Sequence, residues 1–168
     1  WTNPQPGSIA LYRAPFGSYP EYDDLGGAAP DSVLAPAVPW VLVSAAAASG
    51  LVDVPPVRGS WHYVAFLTDS CGNRSAISNM TRGSLDYHLG DVSNSIVRGA
   101  GNNRVGVEDV SLLGAHYGIS GSTLVSDSVA YLDVGPTIDG QPTSRPATDN
   151  LIDFEDLTRR PKETLRGI

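Results

Sequence analysis

Alternation of apolar and polar positions predicts β-strands in the first half of the chain. Residues 8–13 and 61–68 alternate with a period of two, and the second segment is rich in aromatic and β-branched side chains. Residues 40–43 form a short continuous apolar run, which is typical of a buried strand. A cluster of turn residues at 69–73 follows the aromatic strand, so we expect residues 75–80 to pair back on it as a hairpin.

The second half of the chain has a helical period instead. Val110, Leu113 and Tyr117 stand at i, i+3 and i+7, and Gly118 follows them as a residue that commonly ends helices. A second helix is expected to begin near Asp153 and to end before the next proline. The patterns therefore predict a β-rich portion followed by a short helical one.

Composition narrows the class of protein. The chain of 168 residues has 18 Gly, 13 Pro and only 17% charged residues, which argues against long helices, coiled coils and intrinsic disorder. The net charge of −7 argues against nucleic acid as a partner. No apolar run approaches the ~18 residues that a membrane helix needs. The single cysteine, Cys71, excludes an internal disulfide bond and a Cys-rich zinc site.

The strands of the first half resemble part of a known fold. The segments that carry the resemblance are residues 9–13, 61–66 and 69–75 with the pair Ser78-Asn79. They resemble the later part of a fibronectin type III-like or Ig-like β-sandwich, which implies a mainly β fold and a partial sandwich over residues 1–83. Such a domain has about seven strands, whereas this segment supplies four clear ones. The missing strands imply an unpaired sheet edge, at which another chain or a second copy would add a strand.

The second half contains an internal repeat that is rich in Asp and Asn. The first copy begins at Asp91 and ends with residues 102–110, and the second begins at Asp133 and ends with residues 149–157. The two ends read NNRVGVEDV and DNLIDFEDL, and eight positions of the whole repeat agree in kind. Residues 83–158 have a net charge of −8, from eleven acidic and three basic side chains. This clustering of acidic side chains points to a cation site.

The spacing of the repeat matches a calcium loop with oxygen ligands at positions 1, 3, 5, 7, 9 and 12. Counted back from their ends, the loops place Asn103 and Asn150 at position 6, where the backbone must bend. The ligands predicted for the first loop are Asp91, Ser93, Asn102, the carbonyl of Arg104, and Asp109. Those predicted for the second loop are Asp133, Gly135, Asp149, the carbonyl of Leu151, Asp153 and Asp156. Hard oxygen donors without thiolate or imidazole favour Ca²⁺ over zinc or copper.

This two-loop pattern resembles the dockerin type I module, a pair of calcium loop-helix units, over about residues 88–160. The resemblance implies a dockerin-like domain at residues 84–168 that ends in a basic tail. It also implies Ca²⁺ as the cofactor and a secreted bacterial protein as the source. The apolar residues Val105 and Ile152, both at position 8, are expected to join the two loops by a short β-contact.

The chain departs from the dockerin pattern at several positions. Both loops carry insertions, of about seven and about twelve residues, between positions 1 and 8 of the loop. Position 9 of the first loop is Gly106, so a water would have to supply that ligand. Positions 10 and 11, often small hydroxyl pairs in the family, are Val107-Glu108 and Phe154-Glu155 here. We therefore do not carry cohesin binding over to this chain.

Three further observations bear on function. Asn73 and Asn79 each open an N-x-S/T tripeptide, so both are candidate glycosylation sites in an exported protein. Trp40 and Trp61 would suit a carbohydrate-binding surface, but their strand context favours core positions. The sequence has no nucleophile elbow, P-loop or metal-hydrolase helix motif, so we expect a protein that is not an enzyme.

These features predict an extracellular, non-catalytic structural protein. Calcium would rigidify the second domain, and the open sheet edge of the first would associate with another chain, as in a filament, surface-layer or adhesion subunit. One alternative is the C-terminal appendage of a secreted hydrolase, which anchors or docks that enzyme. Another is a carbohydrate-binding module, based on the aromatic side chains.

Overall fold

The computed structural model describes residues 7–17, 27–97 and 99–157. The chain divides into two compact units, with the boundary between Asp86 and Tyr87. The boundary predicted from the sequence lies a few residues before this point. The basic tail and the end of the second predicted helix lie outside the described residues.

The first unit is built on four antiparallel strands: β1 (Gly7–Pro15), β2 (Val41–Ser44), β3 (Ser60–Asp69) and β4 (Ser84–Leu85). Their order is β2-β1-β3-β4, so β2 lies at one edge. The sheet confirms the predicted mainly β fold, and β1, β2 and β3 fall on the predicted strands. In the part of the chain that the structure describes, the strands make a single sheet, without the second layer of a sandwich.

One face of this sheet carries the hydrophobic core of the first unit. β1 and β3 pair over their full length, so Tyr12 lies opposite Val64 and shares a face with Ala14. Ala14, Val64 and Trp40 are buried together, and Tyr12 packs against them. The indole Nε1 of Trp40 donates a hydrogen bond to the carbonyl of Asp31 at 2.9 Å. Trp40 therefore ties the segment before β2 to the core.

Residues 74–81, here called the hydroxyl strap, run back along β3 as expected but do not form a regular strand. The N–H groups of Ser75, Ser78 and Thr81 donate to the carbonyls of Leu67, Ala65 and Tyr63, at 2.7, 3.0 and 3.0 Å. Their hydroxyls accept from the N–H groups of the same three β3 residues, each at 2.9 Å. Every third residue of the strap is thus paired with every second residue of β3. At each pair, the β3 N–H group donates to a side-chain hydroxyl of the strap in place of a backbone carbonyl. Ile77 and Met80 pack on the core.

The opposite face of the sheet carries a polar cluster. Arg13 Nη1 lies 2.6 Å from Asp53 Oδ1, and the Tyr63 hydroxyl donates to Asp53 Oδ2 at 3.0 Å. Burial raises the pKa of Tyr63 to about 12, and the hydrogen bond to Asp53 adds to this increase. The cluster attaches the segment after β2 to the middle of β1 and β3.

Within its described residues, the second unit contains three short α-helices, α1 (Val107–Ala115), α2 (Ser122–Ser126) and α3 (Phe154–Leu157), and a 3₁₀ helix at Ala130–Leu132. Its fully buried apolar side chains are Leu124, Leu132 and Ile152. Helix α1 forms where it is predicted, but the expected buried face is wrong because Val110 and Tyr117 are 50% and 56% exposed. None of the helices in the described residues is long and apolar enough to cross a membrane.

Candidate metal centre

The two repeats fold into loops with the same frame. Each loop begins and ends with a buried aspartate: Asp91 and Asp109 in the first, Asp133 and Asp156 in the second. The closing aspartate stands in the first turn of the helix that follows, α1 or α3. Four of the predicted ligands are therefore inside the protein, where a carboxylate needs hydrogen-bond donors or a cation.

The closing aspartates hold their loops together through backbone N–H groups. Asp109 Oδ1 accepts from the N–H groups of Val92 and Ser93, both at 2.8 Å, and its Oδ2 accepts from Gly106 at 2.7 Å. The last of these bonds satisfies an N–H group at the start of α1. The same carboxylate therefore starts the helix and fixes the beginning of the loop.

Asp156 repeats this arrangement in the second loop. Its Oδ1 accepts from Val134 at 2.7 Å and from Gly135 at 2.8 Å, while its Oδ2 accepts from Asp153 at 2.9 Å. Gly135 takes part through its N–H group, as a donor to Asp156. Burial raises the pKa of Asp156, although these N–H groups act in the opposite direction.

The opening aspartates contact the bend at position 6. Asp91 Oδ1 accepts from Asn102 at 2.8 Å, and its Oδ2 accepts from Asn103 at 2.7 Å. Asn103 and Asn150 have φ values of 63° and 62°, so the bend expected at position 6 is present in both loops. Asn is one of the few residues other than Gly that adopts this left-handed conformation readily.

Asp133 differs from Asp91 in one respect. Its Oδ2 accepts from Asn150 at 2.8 Å, but its Oδ1 is buried and has no hydrogen-bond partner among the described residues. Burial raises the pKa of Asp133 to about 7. The backbone N–H groups of Asn150 and Asp149 act against this increase, and the carboxylates of Asp156 and Asp149 add to it. An anionic oxygen in this position is costly unless a positive charge lies beside it.

The remaining side chains predicted as ligands lie on the rims of the loops and bond locally. Asn102 Oδ1 accepts from Arg104 at 2.9 Å, and Asp149 Oδ1 accepts from Leu151 at 3.0 Å. The other two are Ser93, whose Oγ accepts from Ser95 at 3.1 Å, and Asp153, whose Oδ1 accepts from Glu155 at 2.7 Å. Over residues 7–17, 27–97 and 99–157, no three His, Cys, Asp or Glu side chains gather as a metal-binding group.

The insertion in each loop forms local hydrogen bonds of its own and does not interrupt the contacts of the opening and closing aspartates. In the first loop, Asn94 Oδ1 accepts from the N–H groups of Ile96 and Val97. In the second, Ile138 donates to the carbonyl of Arg145 at 3.1 Å, which makes a small hairpin. The opening and closing aspartates can meet despite the insertions because each excursion returns to the point where it left.

The expected β-contact between Val105 and Ile152 is wrong. Ile152 donates to the carbonyl of Ile119 at 2.9 Å and accepts from Gly118 at 2.7 Å, so its partner is the segment after α1. Gly121 adds a bond to the carbonyl of Asn150 at 2.8 Å. The second loop therefore rests on the chain that leaves α1, and the buried Ile152 places that contact in the core of the second unit.

The other candidate residues lie in the first unit. Asn73 is held in a turn, where its Nδ2 donates to Asp69 Oδ2 at 2.9 Å, and Asn79 is exposed on the hydroxyl strap. Trp40 and Trp61 are both buried, so neither presents a ring face to a sugar. The carbohydrate-binding hypothesis therefore loses its two tryptophans and keeps only the tyrosines, of which Tyr117 is exposed.

Comparison with protein-family models, curated proteins and solved structures gives no match for this chain. The likenesses to fibronectin type III domains and to dockerins rest on the sequence motifs alone. The second loop has four aspartates at the predicted ligand positions, and one of them, Asp133, has a buried Oδ1 without a hydrogen-bond partner among the described residues.

Proposed function

We propose that this protein is an extracellular, non-catalytic structural protein whose second unit is stabilised by calcium in the second loop. The observation that carries the proposal is the buried, unpaired Oδ1 of Asp133. The carboxylate of Asp133 is buried, and none of the described residues donates to its Oδ1 in hydrogen-bonding geometry; the Asp149 N–H group only lessens the increase in its pKa. A cation supplies the missing partner and neutralises the charge.

The carboxylates around Asp133 support calcium in particular. Asp133, Asp149, Asp153 and Asp156 belong to one loop, and calcium takes six to eight oxygen ligands in flexible geometry. The proposal requires the partly exposed side chains of Asp149 and Asp153 to turn towards Asp133. When bound, the ion would cross-link the two ends of the loop and so couple the binding of calcium to the folding of the unit.

An extracellular location is part of the proposal because calcium is abundant there. Extracellular calcium modules work with dissociation constants of about 10⁻⁴ to 10⁻³ M, which suits a loop that also folds through backbone hydrogen bonds. The structural role is supported by β2, an edge strand on which Val41 and Leu42 are 55% and 49% exposed. Such an edge offers backbone groups and apolar side chains to a strand of another chain.

Calorimetry on the chelator-treated protein tests the calcium site. We expect Ca²⁺ to bind to the wild type and binding to be lost in Asp133→Asn, since this variant removes one charge from the centre of the site. Asp127→Asn is the matched control, because it removes the same charge from an exposed position in the same unit. Absence of calcium binding to the wild type at millimolar concentrations would overturn the proposal.

Size-exclusion chromatography with and without EGTA tests the role of the edge strand. We expect self-association that Leu42→Lys weakens, because a charge on β2 disfavours strand addition. Val125→Lys, at an exposed apolar position of the second unit, is the control. If the wild type stays monomeric at high concentration, or if both variants behave alike, the edge is not used for self-association.

A further inference from the structure

The two loops share a frame but differ in their need for a cation. We infer that the first loop is closed by its own backbone N–H groups without a metal ion, and that it acts as a preformed support for the calcium-binding second loop. The first part of this inference is independent of calcium. The second part rests on the proposed function.

The carboxylates of the first loop are already paired. Asp91 accepts one N–H group on each oxygen, and Asp109 accepts three N–H groups in total. Among the described residues, the first loop contains no buried side-chain oxygen without a hydrogen-bond partner, whereas the second loop contains Asp133 Oδ1. A network of backbone donors that satisfies both carboxylates performs the role that a cation performs in a calcium loop.

The two loops also differ in charge at equivalent positions. Positions 5 and 9 are Asn102 and Gly106 in the first loop, but Asp149 and Asp153 in the second. The first loop therefore offers two carboxylates to a cation and the second offers four. The number of charged ligands is one of the factors that set the affinity of a calcium loop.

Asn102 makes one contact that its counterpart in the second loop cannot make. Its Oδ1 accepts from Arg104 at 2.9 Å, just as Asp149 Oδ1 accepts from Leu151 at 3.0 Å, but its Nδ2 also donates to Glu108 Oε1 at 3.2 Å. Glu108 is thereby held on the rim of the loop by a neutral donor. The residue at position 5 thus connects two parts of the first loop to each other.

The support role follows from the contacts of the segment after α1. Gly118, Ile119 and Gly121 make three backbone hydrogen bonds to Asn150 and Ile152 in the second loop, at 2.7 to 2.9 Å. Helix α1 starts from the closed first loop through Asp109. A first loop that folds without metal would therefore hold the scaffold on which the second loop is presented.

Hydrogen exchange of the wild-type protein tests whether the first loop needs a metal. We expect the amides of Asn102 and Asn103 to exchange at the same rate in EDTA and in Ca²⁺, within about twofold. The amides of Asn150 and Gly135 in the second loop should exchange at least about tenfold more slowly in Ca²⁺. Amides of the first loop that become protected only when calcium is added would overturn the inference.

Calorimetry separates this inference from the proposed function. We expect one calcium ion per chain. Asp91→Asn, which removes one of the N–H acceptors that close the first loop, should leave this stoichiometry at one but weaken the affinity of the second loop, and an unchanged affinity would overturn the support role. Two ions, one of which is lost in Asp91→Asn, would overturn the inference and leave the proposed function intact. If no calcium binds while the amides of Asn102 and Asn103 stay protected in EDTA, the proposed function fails and the metal-free first loop stands.

Discussion

Replacing Asp133 by Asn should change the free energy of unfolding by different amounts with and without calcium. In chelator at pH 8, the variant should be more stable than the wild type, because Asn keeps the acceptor for the Asn150 N–H group but carries no buried charge. In calcium, the wild type should recover part of this difference, because only Asp133 provides an anionic ligand. The stability advantage of the variant should therefore shrink when calcium is added.

The size of the effect follows from the burial of the carboxylate. The pKa of Asp133 is raised from 3.8 to about 7 in the folded protein. Since one pKa unit is ~1.4 kcal/mol, the ionised group lowers the free energy of unfolding by about 4 kcal/mol at pH 8. Calcium at a hundred times its dissociation constant adds about 2.7 kcal/mol to the wild type.

The sign of the pH dependence is fixed by the same shift. The folded state holds the Asp133 proton more tightly than the unfolded chain does. In chelator, the stabilisation from this group is therefore complete below pH 3.8 and is lost as the pH rises to about 7. Asp133→Asn should lack this part of the pH dependence.

The assay must report on the second unit alone. Trp40 and Trp61 lie in the first unit, so tryptophan fluorescence follows the wrong part of the chain. Hydrogen exchange at the amides of Leu132 and Ile152, which donate to backbone carbonyls inside the second unit, gives its opening free energy directly. Asp127→Asn again provides the control for the change in net charge.

The reasoning would be refuted by a variant that is less stable than the wild type in chelator at pH 8. Asp133 would then contribute a favourable contact in the metal-free protein, and its charge would not be the source of strain. Equal calcium stabilisation of both proteins would also refute it. Either result would remove the physical basis of a cation at Asp133.

Three further predictions test other parts of the structure. Asn103→Ala and Asn150→Ala should each lower the free energy of unfolding by about 1 kcal/mol, because alanine disfavours the left-handed backbone at these positions. The corresponding glycine variants should not lower it. Urea denaturation followed by far-UV circular dichroism measures the free energy of unfolding of all four variants. Thr81→Val should cost about 1 kcal/mol in the same measurement, because the Tyr63 N–H group loses its acceptor, and an undiminished stability would contradict the role of the hydroxyl strap. Asp53→Asn should lower the pKa of Tyr63 from about 12 but leave it above 10, since burial is its largest cause; ultraviolet titration of the phenol measures this, and an unchanged pKa would contradict the contact.

The strands of the first unit could be predicted because they bury one face against a core. In β3 the alternation reflects that burial, because His62, Val64 and Phe66 are buried while the residues between them are half-buried. In β1 only Ala14 is buried. The two-residue β4 has too few positions to show a period.

The hydroxyl strap was expected to be a strand because its serines and apolar residues resemble alternation. Its spacing of three between Ser75, Ser78 and Thr81 is the signal that distinguishes it.

In the helices of the second unit, the periodicity of the sequence does not predict which residues are buried. Helix α1 has nine residues, and of the predicted apolar face only Leu113 is buried. The core of this unit comes largely from residues outside α1, among them Leu124, Leu132 and Ile152. Their burial depends on how the loops return to the helix, which short-range patterns do not encode.

The loop ends could be predicted from the sequence, but their chemistry could not. An Asp at position 12 that caps a helix through backbone N–H groups reads the same in a sequence as an Asp that binds calcium. Asp109 and Asp156 show the first arrangement in both loops, with matching bonds. The distinction between the loops therefore lies at positions 5 and 9 and at the free oxygen of Asp133. The first copy of the repeat keeps the hydrogen bonds of the closing aspartate but lacks the carboxylates at positions 5 and 9. Its own backbone closes the first loop, so a single cation in the second loop suffices to hold the unit.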